Sequence, residues 1–256
     1  MNELMKNVAE NVVFVLEFLG IVILIFLVAY AFEKWEKKKN QDTQRILTTR
    51  KIAMAGMFSA ISAILMVLEF PIPFAPEFYK LDFSEIPALI GAFAFGPVTG
   101  VMIEFCKVVL KVLIKGTSTA FVGDLANFVV GCSFLLPASL IYMNKKSKKT
   151  ALIGSITGTL CMTLFGTVFN AVYLLPKFSQ IYGMPLDVIV GMGTAVNHSI
   201  TDVMTLVLFA VAPLNLLKGA AVSTVTMLVY KKLSRILKAD HSSVATKKTA
   251  AKITQN

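Results

Sequence analysis

Apolar residues fall in long runs along this chain, separated by short polar segments. Residues 12–33 form the first run, long enough as a helix to cross a bilayer core, which takes roughly 20 residues. It is followed by Glu33-Lys34-Trp35-Glu36-Lys37-Lys38-Lys39, with no small residues before a cleavage site, so it reads as an uncleaved anchor with its amino end outside. A polar linker over 40–50 leads to a second span, Ile52 to Glu69. Pro71, Pro73 and Pro76 then forbid further helix, and Phe70 to Phe83 is predicted as an external loop.

The next run, Phe83 to Ile114, is 32 residues broken by Gly96-Pro97 and Gly100. Orientation decides between one kinked span and a hairpin of two short ones. Only the hairpin puts Lys145, Lys146, Lys148 and Lys149 on the same side as Lys37–Lys39, as the basic bias of cytoplasmic loops requires. Span four covers Phe121 to Tyr142 and span five Ala151 to Leu175, followed by an external segment from Pro176 to about Thr201. The last run, Val203 to Tyr230, is too long for one crossing at 28 residues, about 42 Å of helix. Proline suits a first helical turn, so a spanning helix is predicted to begin at Pro213, with 203–212 tucked at the outer side.

The predicted architecture is an all-α integral membrane protein: one additional amino-terminal helix (1–49 with its basic linker), a six-helix body (50–237) and a disordered basic tail (238–256). Composition agrees, at 56% hydrophobic and 16% charged with a mean hydropathy of +0.72. The net charge of +10 does not point to nucleic acid, because 18 of the 25 basic residues lie in 34–51, 145–149 and 231–252. They place the protein in a cell membrane with the carboxyl terminus cytoplasmic, and in contact with the lipid bilayer. Cys106, Cys132 and Cys161 lack ligand spacing and read as free thiols.

No P-loop, HExxH or GxSxG pattern occurs, so neither ATP hydrolysis nor an enzyme activity is expected of this chain, and no metal site. His198, alone in the external segment, reads as a loop residue. Lys218 is the one charge between Val203 and Tyr230, and a lysine among apolar residues of a span costs roughly 2.5–3.5 kcal/mol. It either snorkels to the headgroups or serves a site, and Asn215 on the same helical face favours the site. Asp82, Asp124, Asn127 and Asn170 fall at the outer ends of other spans and could line one cavity with that pair. Glu104, Lys107, Lys111 and Lys115 recur at intervals of three and four, a stripe read as protein-facing or interfacial. Ala55, Ser59 and Ala63, with Gly56 and Ala60 beside them, form a small-residue face for close helix approach, and Gly154 and Gly158 form another. Spacing leaves open whether either partner helix is internal.

Several of these segments carry a resemblance. Leu81-Asp82-Phe83-Ser84-Glu85-Ile86-Pro87-Ala88-Leu89-Ile90-Gly91 with Phe95-Gly96-Pro97, Gly123-Asp124-Leu125-Ala126-Asn127-Phe128, Phe169-Asn170-Ala171-Val172-Tyr173-Leu174-Leu175-Pro176 and Ala212-Pro213-Leu214-Asn215-Leu216-Leu217-Lys218-Gly219 together resemble the riboflavin-specific substrate-capture (S) components of energy-coupling factor (ECF) vitamin transporters. The likeness covers about residues 50–237 and implies a subunit that binds riboflavin near the outer face as transported ligand, with no cofactor. It implies polar contacts from Asn170, Asn215 and Lys218, and a covering loop over Pro73 to Asp82 with backbone bonds around Leu81. Asp82 and Asn127 join this set as lining residues. It further implies that Gly56 and Ala60, with Ala55 and Ser59, meet a membrane coupling (T) subunit, and that two ATP-binding cassette ATPases power uptake. The helix over 12–33 is additional to the six-span pattern and must be parked clear of that face. The alternatives are an S component for another vitamin or flavin nucleotide, or a stand-alone secondary carrier. The carrier would need intramembrane carboxylates for a coupling ion, and only Glu104 lies deep in a body span.

Overall fold

The computed structural model describes residues 12–43 and 45–229. The expected disordered tail, and the last residues of the expected body, lie outside the described residues. Among the described residues the chain is all-α apart from one hairpin of two-residue strands. Its helices are α1 (Val12–Lys39), α2 (Thr49–Val67), α3 (Glu85–Phe95), α4 (Pro97–Lys115), α5 (Val122–Asn144), α6 (Lys148–Tyr182), α7 (Leu186–Thr194) and α8 (Val203–Val229). Six of them (α2–α6 and α8) form the body, α1 precedes it, and short α7 lies in the connection from α6 to α8.

The basic ends meet at one face, where Lys39 Nζ donates to Asn144 Oδ1 at 3.1 Å. Opposite lies the loop 68–84, pinned by the antiparallel pair Phe70–Pro71 (β1) and Lys80–Leu81 (β2). The expected hairpin is present but uneven. Gly96, at φ 105°, turns α3 into α4, and Gly100 lets the two limbs touch, since a Cβ there would lie 2.6 Å from that of Ala92. With 11 residues α3 is about 16 Å long, roughly half a bilayer core. The preceding loop therefore descends into the half of the protein opposite the basic ends. Non-helical backbone at that depth is tolerated only where protein or a cavity satisfies it.

Two boundaries differ from expectation. Span five does not end at Leu175, and the last helix does not begin at Pro213: α6 and α8 are continuous over 35 and 27 residues. In each, a π-turn precedes the proline, Asn170–Leu174 before Pro176 and Val207–Val211 before Pro213. Proline removes a donor and crowds the carbonyl four residues back. The extra residue in the turn absorbs both effects, with the Leu175 and Ala212 amides bonding back to Asn170 and Val207.

Packing settles both small-residue faces. Gly154 and Gly158 lie against α5, where a Cβ would stand 2.6 Å from the Ala138 carbonyl oxygen and 2.5 Å from that of Phe134. Ala55, Ser59 and Ala63 are buried inside the bundle against α3 and α4, whereas Gly56 and Ala60 lie on the open outer side of α2. The additional helix α1 packs on α4 and α5. Glu33 of α1 is buried, and its Oε2 accepts from the Val98 amide at 3.0 Å. It thus caps α4, whose own cap residue Gly96 has no side chain to do so.

Candidate functional site

Loop 68–84 and helices α4, α5, α6 and α8 enclose a cavity of about 510 Å3. Asp82, Asn127, Asn170, Asn215 and Lys218 all line it, so the sequence-predicted set converges on one place. Leu81 is the exception: its side chain packs in the outer apolar cluster with Ile72 and Leu175. Asp124 also lines the cavity. His198 is exposed in the α7–α8 loop and Cys106, Cys132 and Cys161 are free.

Each lining group is positioned by a local feature. Asn170 opens the α6 π-turn, donates from Nδ2 to the Gly166 carbonyl at 2.8 Å and accepts from Tyr79 of the loop at 3.1 Å. Asn215 follows the α8 π-turn and Pro213. Gly166 faces it, and a Cβ there would come within 2.6 Å of Asn215 Nδ2. Asn215 is 6% exposed and makes no side-chain hydrogen bond among the described residues. Its amide is open to the cavity, where it can both donate and accept. Over this floor, Phe78 of the loop stacks on Phe178 of α6 at 5.4 Å between ring centroids.

Lys218 sits past the midpoint of α8, deeper than a helix starting at Pro213 would put it, and it does not snorkel. Its Nζ lies 2.9 Å from both Asp82 Oδ2 and Glu85 Oε1. Glu85 also binds Lys107 at 3.0 Å, and Lys107 pairs with Glu104 at 2.8 Å and donates to Ser84 Oγ at 2.8 Å. Asp82 further accepts from the Ser84 amide at 2.8 Å and from Asn127 Nδ2 at 3.3 Å. Three carboxylates and two lysines thus form one buried network that ties the descending loop to α3, α4, α5 and α8. The α4 stripe is protein-facing at Glu104, Lys107 and Lys111, which pairs with Asp124 at 2.8 Å, and turns outward at Lys115, which is exposed and pairs with Glu69 at 2.9 Å.

Glu85, Lys107 and Tyr79 were missed as site residues by sequence reasoning. Glu85 lay within the Leu81–Gly91 motif, and Lys107 was as improbable in its helix as Lys218. Tyr79 carried no signal beyond its place in the loop. At the cavity's edge, Glu69 draws Lys80 to 3.2 Å as well as Lys115. Burial pushes its carboxyl up, but the two lysines outweigh that and hold it below the ordinary glutamate range.

The assembled site offers amide donors and acceptors, one lysine N–H not taken by the two carboxylates, and apolar walls from Val130, Met162, Val211 and Leu214. It suits a partly polar organic molecule within the size range of small-molecule cavities.

Known proteins resemble the chain along most of its length. The family model for the substrate-specific component of ECF transporters matches residues 50–230. The riboflavin transporter RibU of Staphylococcus aureus is 36% identical over 202 residues, covering 79% of this chain and 96% of the relative. The riboflavin transporter FmnP of Bacillus subtilis is 31% identical, covering 73% and 93%. A solved structure described as the S component of a bacterial ECF transporter superposes with a TM-score of 0.57 at 36% identity, covering 74% of this chain and 98% of that one.

Proposed function

We propose, given that this chain belongs to the substrate-specific components of ECF transporters, that it captures riboflavin in the cavity beneath the Phe78–Phe178 closure. Such components are non-enzymatic transport subunits. The unpaired Asn215 amide carries the choice of ligand, because it stands open in the cavity to a partner that offers both a donor and an acceptor. The imide edge of an isoalloxazine ring offers both, and the ribityl hydroxyls suit the carboxylates and amides around them. Asn170 and Asn127 extend the same edge, and Lys218 contributes its remaining N–H while holding Asp82 in place. Leu81 acts through its backbone, at the foot of the β1–β2 pair.

Residues 50–237 form the capture domain in this reading, with the amino end of α1 outside and the carboxyl end cytoplasmic. A membrane coupling subunit and two ATP-binding cassette ATPases complete the transporter. The open side of α2 around Gly56 and Ala60 is the face for that subunit, with Ala55 and Ser59 holding the helix to the bundle from within. Parking α1 on α4 and α5 keeps it off that face.

Purified protein is expected to retain yellow flavin absorbance, and added riboflavin to lose fluorescence on binding. Asn215→Ala should weaken binding about tenfold, the worth of roughly one buried hydrogen bond pair, without lowering ligand-free stability. A protein that binds no flavin in either assay overturns the assignment.

A further inference from the structure

Glu17 is the one acidic or basic side chain of the Asp, Glu, Lys, Arg and His types between Val12 and Phe32, and a carboxylate in an apolar run is costly to place without a partner. Its partners belong to one turn of α6. Glu17 Oε2 accepts from Tyr173 Oη at 2.8 Å, and Lys177 Nζ lies 2.8 Å from Oε2 and 3.0 Å from Oε1. The same ammonium stands over the Phe14 ring at 6.0 Å and the Tyr173 ring at 5.7 Å. The outer end of α1 is therefore fastened to α6 by ionic and aromatic contacts.

On its other side this stretch of α6 faces the cavity. Asn170 holds Tyr79, and Phe178, next to Lys177, stacks on Phe78. Two of the contacts that hold the loop over the cavity are thus made by residues 170–178. That segment contains the π-turn and Pro176, where helical hydrogen bonding is weakest and bending is easiest. A segment that bends there opens the closure, and α1 braces it from behind.

We propose that Glu17 is a positioning residue for the cavity: by binding Tyr173 and Lys177 it holds the outer end of α6 in place and sets how fast the Phe78–Phe178 closure parts. The inference rests on reading the cavity as the riboflavin site. It concerns a helix outside the 50–230 region that the family model matches.

The test uses the full chain in nanodiscs, with riboflavin release followed by stopped-flow fluorescence. Glu17→Gln should raise the dissociation rate about threefold or more, the effect of losing a partly exposed ion pair, and Tyr173→Phe should move it the same way. Exchanging the charges, Glu17→Lys with Lys177→Glu, should return the rate to within about twofold of the parent. Without ligand, amide hydrogen exchange over 177–182 should quicken in Glu17→Gln. Unchanged release together with unchanged exchange overturns the proposal, as does a charge exchange no better than Glu17→Lys alone. A parent chain that binds no riboflavin sinks the reading of the ligand instead, and the ligand-free exchange still decides whether Glu17 braces α6.

Discussion

Replacing Lys218 by methionine keeps much of the side-chain volume and removes the charge. Lys218 is 8% exposed and meets two carboxylates at 2.9 Å. After the change, Asp82 keeps the Ser84 amide and Asn127, Glu85 keeps Lys107, and the network holds three carboxylates against one lysine. Breaking a buried ion pair from one side costs about 3–5 kcal/mol. Asp82 borders the cavity, where water can reach it, so the lower end applies. For a domain of this size about 3 kcal/mol corresponds to roughly 6–12 °C in the unfolding midpoint. The midpoint can be read in ligand-free protein with a thiol-reactive dye, since Cys106, Cys132 and Cys161 are free and partly or wholly buried. Adding Asp82→Asn to Lys218→Met should recover more than half of the loss, because the least compensated charge leaves with it. If Lys218→Met left the ligand-free midpoint unmoved while abolishing riboflavin binding, the lysine would be a free ligand anchor and the network would be incidental.

Gly158→Ala should lower stability by about 1–3 kcal/mol, because its methyl would stand 2.5 Å from the Phe134 carbonyl oxygen and α5 and α6 would have to separate. Gly56→Ala, with nothing within 4 Å, should leave the isolated subunit's midpoint unchanged or slightly raised, and the pair of variants compared by thermal unfolding isolates the packing effect. Glu69, held below its ordinary value by Lys115 and Lys80, contributes stability that is fully present above about pH 4.3 and is lost as pH falls through its lowered folded value. Glu69→Gln should flatten that acid limb of the midpoint-against-pH curve and leave the curve near neutrality shallow as before.

The order of the helices and the membership of the cavity were legible because both depend on local rules. Apolar run length, basic loops and polar residues at span ends each follow from the cost of placing a group in lipid. Pro213 misled because a proline reads as a helix start in one dimension, while the π-turn that lets α8 continue through it leaves no composition signal. The pattern is visible only in pairs: Asn170 and Val207 each stand six residues before their proline. The depth of α3 was hidden for another reason. A loop can descend into a membrane protein only if distant residues satisfy it, and Lys107 and Lys218 are 22 or more residues from the carboxylates they meet on that loop and α3. The partition of the α2 face into buried Ala55 and Ser59 and open Gly56 and Ala60 likewise needed the neighbouring helices.

The buried network also bears on how the chain is made. Asp82 and Glu85 emerge from the ribosome long before Lys218, which lies 136 residues beyond Asp82. Helix α4, with Glu104, Lys107 and Lys111, falls outside the helices apolar enough to span a membrane unaided. Until α8 arrives, the buried network has Lys107 as its single lysine. The last helix is therefore the piece that locks the loop at depth, and a nascent chain stopped before it should remain open at the centre and recognisable to membrane quality control.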